Sequence, residues 1–181
     1  MRLGSKAAAF LWGFAEATVF FIVPDALLTS LALNSLRTAV TAALLAALGA
    51  TVGGLAVWSL ASSNPETANN ILLAVPGISE ATFQTVRKLF SEGTYTGLLH
   101  GAFTGVPYKI FAAEAGFNGI NPALFAALTP LARLPRFLLL SLAAWAAGQW
   151  IGARLSQRQK FAVTLSLWLV FYIVYFALVG W

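Results

Sequence analysis

Two stretches carry ionisable residues inside otherwise apolar sequence. FAEATVFFIVPDALL, residues 14–28, holds Glu16 and Asp25 nine positions apart, with Pro24 directly before the second acid. TYTGLLHGAFTGVPYKIFAAEAG, residues 94–116, holds Lys109 and Glu114 after Pro107. An ionisable group in an apolar segment is costly unless it is paired or hydrated, so each of the four is a candidate for function.

Glu16 sits in mid-segment, where a carboxyl group needs a cation, a water-filled cavity or a proton. Asp25 follows Pro24 at the expected start of a helix, where free N–H groups favour a negative charge; it reads either as a cap or as a proton-carrying group. Lys109 falls in the first turn after Pro107, so its ammonium and a half-helix N-terminus would point at one spot and receive a phosphate or carboxylate. The competing reading is a structural ion pair with Glu16 or Asp25. Arg136, Tyr108 and Thr104 are taken with Lys109 as substrate-binding residues, Glu16 and Asp25 as proton-coupling residues, and Pro24, Gly105 and Pro107 as structural turn residues. His100 reads as a hydrogen-bonded interior residue. The chain has one His and no Cys, which excludes multi-histidine and cysteine metal sites, and no cofactor is expected.

These residues sit in a chain of 181 residues that is 59% hydrophobic and 9% charged, against roughly 25% charged in an ordinary soluble domain. Mean hydropathy is +0.80. The composition is that of an integral membrane protein. The net charge of +5 does not point to nucleic acid, because Arg2, Lys6, Arg37, Arg154, Arg158 and Lys160 lie at the ends of apolar segments rather than in an aromatic-interleaved patch. Glu16 interrupts the apolar run that a cleavable signal would need.

The elements that must position the charges follow from breaks and lengths. The 30 residues between Lys6 and Arg37 would make a helix of about 45 Å, too long for one crossing of a hydrocarbon core of about 30 Å. Pro24 predicts a break and a re-entrant hairpin over 7–36. Residues 38–62 are uncharged and contain Gly49-x-x-x-Gly53, the spacing of a span packed closely on a neighbour. SNPETANN, residues 63–70, reads as a polar loop, and 78–92 as an amphipathic surface helix ended by Gly93. Gly105 and Pro107 break 94–128 into a second re-entrant hairpin, with Asn121-Pro122 starting a helix that Pro130 and the LARLPRF stretch interrupt. Spans follow over 134–153, extended by snorkelling Arg136 and Arg154, and over 161–181. The expected fold is an all-α polytopic membrane protein in a single domain.

FFIVPDALL aligns with FTGVPYKIF, placing Phe20, Val23 and Pro24 on Phe103, Val106 and Pro107 at a constant offset of 83 residues. A span between the two hairpins makes the repeats inverted, and their breaks should meet near the midplane, because non-helical backbone at membrane depth must be buried in protein or line a wet cavity. The positive-inside rule sets the six terminal basic residues against Arg87, Lys88, Arg133 and Arg136 on the other side.

FAEATVFFIVPDALL, FTGVPYKIFAAEAG and ARLPRF together resemble the bacterial DedA superfamily, in its YqaA-like branch of VTT-domain, SNARE-associated Golgi protein homologues, over about residues 10–155. The resemblance places Glu16 and Asp25 on the family's first motif, Phe103, Pro107 and Lys109 on its second, where Ala102 stands in place of a common arginine, and Arg136 on a basic residue at the start of the next helix. It implies opposed re-entrant hairpins and lipid translocation, with members linked to undecaprenyl phosphate recycling or phospholipid scrambling, often proton-coupled.

The expected function is therefore a flippase or scramblase for an anionic lipid in the bacterial cytoplasmic membrane, with protons as partners and a homo-oligomer left open. A proton-coupled transporter of a small ion or solute, a membrane lipid phosphatase and a purely structural subunit are the alternatives.

Overall fold

The computed structural model describes residues 3–150 and 155–179, and among them the chain is helical with no strand. Arg2 and Arg154, expected among the flanking basic residues, lie outside the described residues. Among the described residues nine helices follow in order: α1 Leu3–Thr18, α2 Asp25–Ala32, α3 Leu36–Ser63, α4 Pro65–Leu73, α5 Glu80–Ser91, α6 Thr94–Thr104, α7 Tyr108–Phe117, α8 Pro122–Trp150 and α9 Gln157–Val179. Three of them, α3, α8 and α9, are long and apolar enough to cross a membrane, which is compatible with an integral membrane protein.

Two expectations are corrected. Residues 63–70 are not a loop: Asn64 Oδ1 accepts the Thr67 N–H at 3.1 Å and Pro65 occupies the first turn, so the polar run starts α4. Pro130 and Pro135 do not interrupt the helix that begins at Pro122; both lie inside a continuous α8. Each proline removes one intrahelical hydrogen bond, yet α8 is held by packing on α3, α2 and α6 along its length. Its start is fixed by Asn121, whose side-chain oxygen accepts the N–H groups of Ala123 and Leu124.

Small residues set the direction of packing. A Cβ at Gly49 would strike the Phe10 carbonyl and one at Gly53 the Phe14 carbonyl, so α1 lies backbone to backbone on α3 and runs parallel to it. The chain must then return within α2 to the end where α3 begins. Tyr108 sits over Gly54 and Gly116 against Trp58, so α7 also runs parallel to α3. α8 runs the other way, meeting Tyr108 at Thr129, Asp25 at Arg136 and Leu33 at Gly148. Lys160, near the start of α9, donates to the Gly148 carbonyl, bringing that start to the same end as Arg37.

α5 packs Phe83, Val86 and Leu89 inward at helical spacing and keeps Arg87 and Lys88 exposed. α9 differs from every other long helix, because none of its most apolar window is buried.

Candidate functional site

Two of the breaks between helices, at residues 19–24 and 105–107, face one another. Gly105 has φ of 80°, a left-handed conformation that glycine adopts without a steric penalty, and Pro107 then sets the first turn of α7. Helix breaks expose backbone polar groups, and side chains from other elements meet those of the first one. Lys109 Nζ donates to the Phe20 carbonyl at 2.7 Å, Trp12 Nε1 to the Ile22 carbonyl at 3.0 Å, and the Val23 N–H to Tyr172 Oη at 2.8 Å. The second break is tied in by Arg136, whose Nη1 donates to the Ala102 carbonyl at 2.6 Å.

The acids are held by arginines of α8. Glu16 Oε2 accepts Arg133 Nη2 at 2.6 Å, and Asp25 Oδ2 accepts Arg136 Nη2 at 2.7 Å. Arg133 is itself sandwiched, its guanidinium 4.5 Å from the Tyr108 ring centroid and 5.1 Å from that of Phe137. Tyr108 is fixed in turn by a 2.8 Å hydrogen bond with Thr129 and by stacking on Phe125. The missing Cβ of Gly54 leaves room for the Tyr108 hydroxyl.

A cavity of about 360 Å³ lies between the breaks. Glu16, Asp25, Lys109, Arg133 and Arg136 all line it, with Tyr108, Thr104, Gly105 and Pro107 beside them. Three cations against two carboxylates leave one positive charge in their ordinary ionised states. Access to the charges is uneven: the Arg136 side chain is 22% exposed, whereas that of Asp25 is 1% exposed. Asp25 Oδ1 and Arg133 Nε are buried without a hydrogen-bond partner, so the charged cluster retains unused capacity.

Lys109 pairs with neither Glu16 nor Asp25 but with a backbone carbonyl. Pro24 occupies the N-cap position of α2 without a side-chain cap bond, and Asp25 stands in the first turn. Thr104 is exposed and donates to the His100 carbonyl. His100 is not an interior residue; its side chain is exposed and stands 4.0 Å from Glu92. Glu114 lies apart from the cavity, accepting Arg87 Nε at 2.8 Å and Asn118 Nδ2 at 3.3 Å. Arg133, which the positive-inside rule sets on the outer side with Arg87, Lys88 and Arg136, lies instead at the centre of the cavity. Its spacing of four residues from both Thr129 and Phe137 becomes a signal only once the helix through Pro130 and Pro135 is recognised as unbroken.

No protein-family model and no solved structure matches the chain. It is 29% identical over 143 residues to an uncharacterized protein of Haemophilus influenzae, a match that covers 78% of this chain and 73% of that relative.

Proposed function

We propose that the chain is an integral protein of the bacterial cytoplasmic membrane that translocates an anionic lipid, such as undecaprenyl phosphate or a phospholipid. The observation that carries this reading is the cavity between two helix breaks, lined by Lys109, Arg133 and Arg136 against Glu16 and Asp25. Its volume lies at the lower end of the range for small-ligand pockets, about 300–1,000 Å³, which suits a headgroup with its acyl chains left outside.

The packing directions support two opposed re-entrant hairpins. α1 and α2 return to the end where α3 starts, and α6 and α7 to the end where α3 finishes, so α1–α3 and α6–α8 read as inverted repeats. Both acids of the cavity come from the first unit and all three cations from the second. The motif resemblance to the DedA superfamily points the same way.

Charge at the two ends favours one orientation. Lys6, Arg37, Arg158 and Lys160 lie at the end where α1, α3 and α9 begin, without an acid among them. At the other end Arg87 and Lys88 are the only arginine and lysine among the described residues outside the cavity. Arg133 and Arg136 leave the comparison because they are cavity residues. The first end is therefore the cytoplasmic one.

In this mechanism the headgroup oxyanion competes with Glu16 and Asp25 for the arginines. Protonation of either acid frees its arginine, so proton uptake and anion binding are coupled through the same two ion pairs.

Reconstituted proteoliposomes carrying a labelled anionic lipid test the proposal. Glu16→Gln and Lys109→Ala should each abolish lipid movement while the folded helical content is retained. Wild-type rates in both variants would sink it. Uptake of a soluble anion without lipid movement, or release of free phosphate, would assign the cavity to a solute carrier or a phosphatase.

A further inference from the structure

The paired units α1–α3 and α6–α8 account for every charge in the cavity, but not for its remaining wall. That wall belongs to Val75, Pro76 and Ile78, between α4 and α5, and to α9, which lies outside both units and supplies Phe171, Tyr172 and Tyr175.

Tyrosines of a membrane helix commonly sit at the water interface. Tyr172 does not fit that explanation, because it stands level with the first helix break, accepting the N–H of Val23 two residues before Asp25. That bond uses the hydroxyl oxygen as acceptor and leaves its proton to be donated. Tyr175, one turn further on, makes no hydrogen bond among the described residues, and its hydroxyl rests against Gly77 at the edge of the same cavity. Two hydroxyl donors thus border the site from a helix that contributes no charge to it.

The cations that would hold a polyoxygen anion are already partly engaged. Arg136, the most accessible, already gives one N–H to Asp25 and one to the Ala102 carbonyl, and Lys109 is bonded to Phe20. A tetrahedral oxyanion has acceptor sites on several sides, and neutral donors on a separate wall can fill those that Arg136 leaves open.

We infer that Tyr172 and Tyr175 are ligand-binding residues, whose hydroxyls donate to the phosphate-type oxyanion held by Arg136. This rests on reading the cavity as an anion site. It assigns α9 a direct part in recognition.

Tyr175→Phe is the cleaner test. It keeps the ring that packs on Phe171 and Phe176 and sacrifices no internal hydrogen bond. Tyr172→Phe additionally strands the Val23 N–H, and Tyr95→Phe, exposed on α6 away from the cavity, is the control. Binding of phosphatidic acid and, in parallel, of inorganic phosphate is measured on the purified full chain, together with its thermal midpoint. Tyr175→Phe should weaken binding about tenfold, the effect of one charge-assisted hydrogen bond, with an unchanged midpoint and an unaffected Tyr95→Phe. Phosphate binding alongside phosphatidic acid identifies the headgroup as sufficient; phosphatidic acid alone means that acyl chains are also read. Wild-type affinity in Tyr175→Phe, or a loss matched by Tyr95→Phe or by a lowered midpoint, overturns the assignment while leaving the anion site intact. A wild-type chain that binds neither probe removes the anion site and this inference with it.

Discussion

Glu16 and Arg133 are separated by 117 residues of chain and meet at 2.6 Å, both buried, with the guanidinium stacked on Tyr108. Each charge is tolerable because the other is present. Removing one member of such a pair leaves an uncompensated charge and is destabilising by about 3–5 kcal/mol, whereas replacing both with apolar residues of similar volume is often neutral. Glu16→Leu and Arg133→Met should therefore each lower stability more than the double variant does. A double-mutant cycle on unfolding of the purified protein reads this directly, and additive losses would contradict the pairing.

The support beneath Arg133 gives a second prediction. A Cβ at Gly54 would occupy the position of the Tyr108 hydroxyl, which bonds Thr129 and carries the ring under the guanidinium. Gly54→Ala should lower stability by about 1–3 kcal/mol through overpacking and slow lipid movement, although Gly54 itself does not line the cavity. Gly4→Ala is the matched control, since nothing lies within 4 Å of a Cβ there. Alanine at that helical position should be neutral or stabilising by about 0.5–1 kcal/mol. Equal thermal midpoints for the two variants would remove Tyr108 from its supporting role.

The first break and its two acids were legible in the sequence because Pro24 and two carboxylates in an apolar run each violate a local rule. Gly105 and Pro107 marked the second break for the same reason, and the inward face of α5 followed from its periodicity. Arg133 was not legible as a site residue, since Pro130 and Pro135 flank it and proline is normally read as a helix end. α8 packs against three neighbours as one continuous helix and turns Arg133 toward Glu16. The SNPETANN stretch misled in the opposite direction, its polarity marking a capped helix start rather than a loop. Pairing partners across the fold, such as Lys109 with the Phe20 carbonyl instead of an acid, depend on three-dimensional register that local sequence does not encode.

The Gly105 turn yields a third prediction free of packing effects. No atom lies within 4 Å of a Cβ at this position, so a side chain there is penalised only by its positive φ. A left-handed conformation disfavours a non-glycine residue by roughly 1–2 kcal/mol, and asparagine tolerates it better than alanine. Unfolding midpoints should fall in the order wild type, Gly105→Asn, Gly105→Ala. Alanine matching wild type would mean that the turn adopts another conformation in the membrane.

The proposed function separates the Arg136 ion pair, in the cavity, from the Arg87 pair outside it. Arg136 holds Asp25 beside one break and the Ala102 carbonyl beside the other through two different nitrogens, a fork that a lysine ammonium cannot reproduce from one point. Arg87 pairs with the buried Glu114 outside the cavity, and Asn118 remains as a second partner for that carboxylate. Because the Arg87 side chain is 47% exposed, solvent screening limits its contribution to about 1 kcal/mol. Arg136→Lys should therefore reduce lipid movement at least tenfold, through loss of one link between the breaks and of the accessible anion contact. Arg87→Ala should lower the thermal midpoint slightly and leave the rate per folded molecule unchanged. Parallel proteoliposome assays normalised to folded protein distinguish the two, and equal effects on rate would mean that the breaks are not coupled through Arg136.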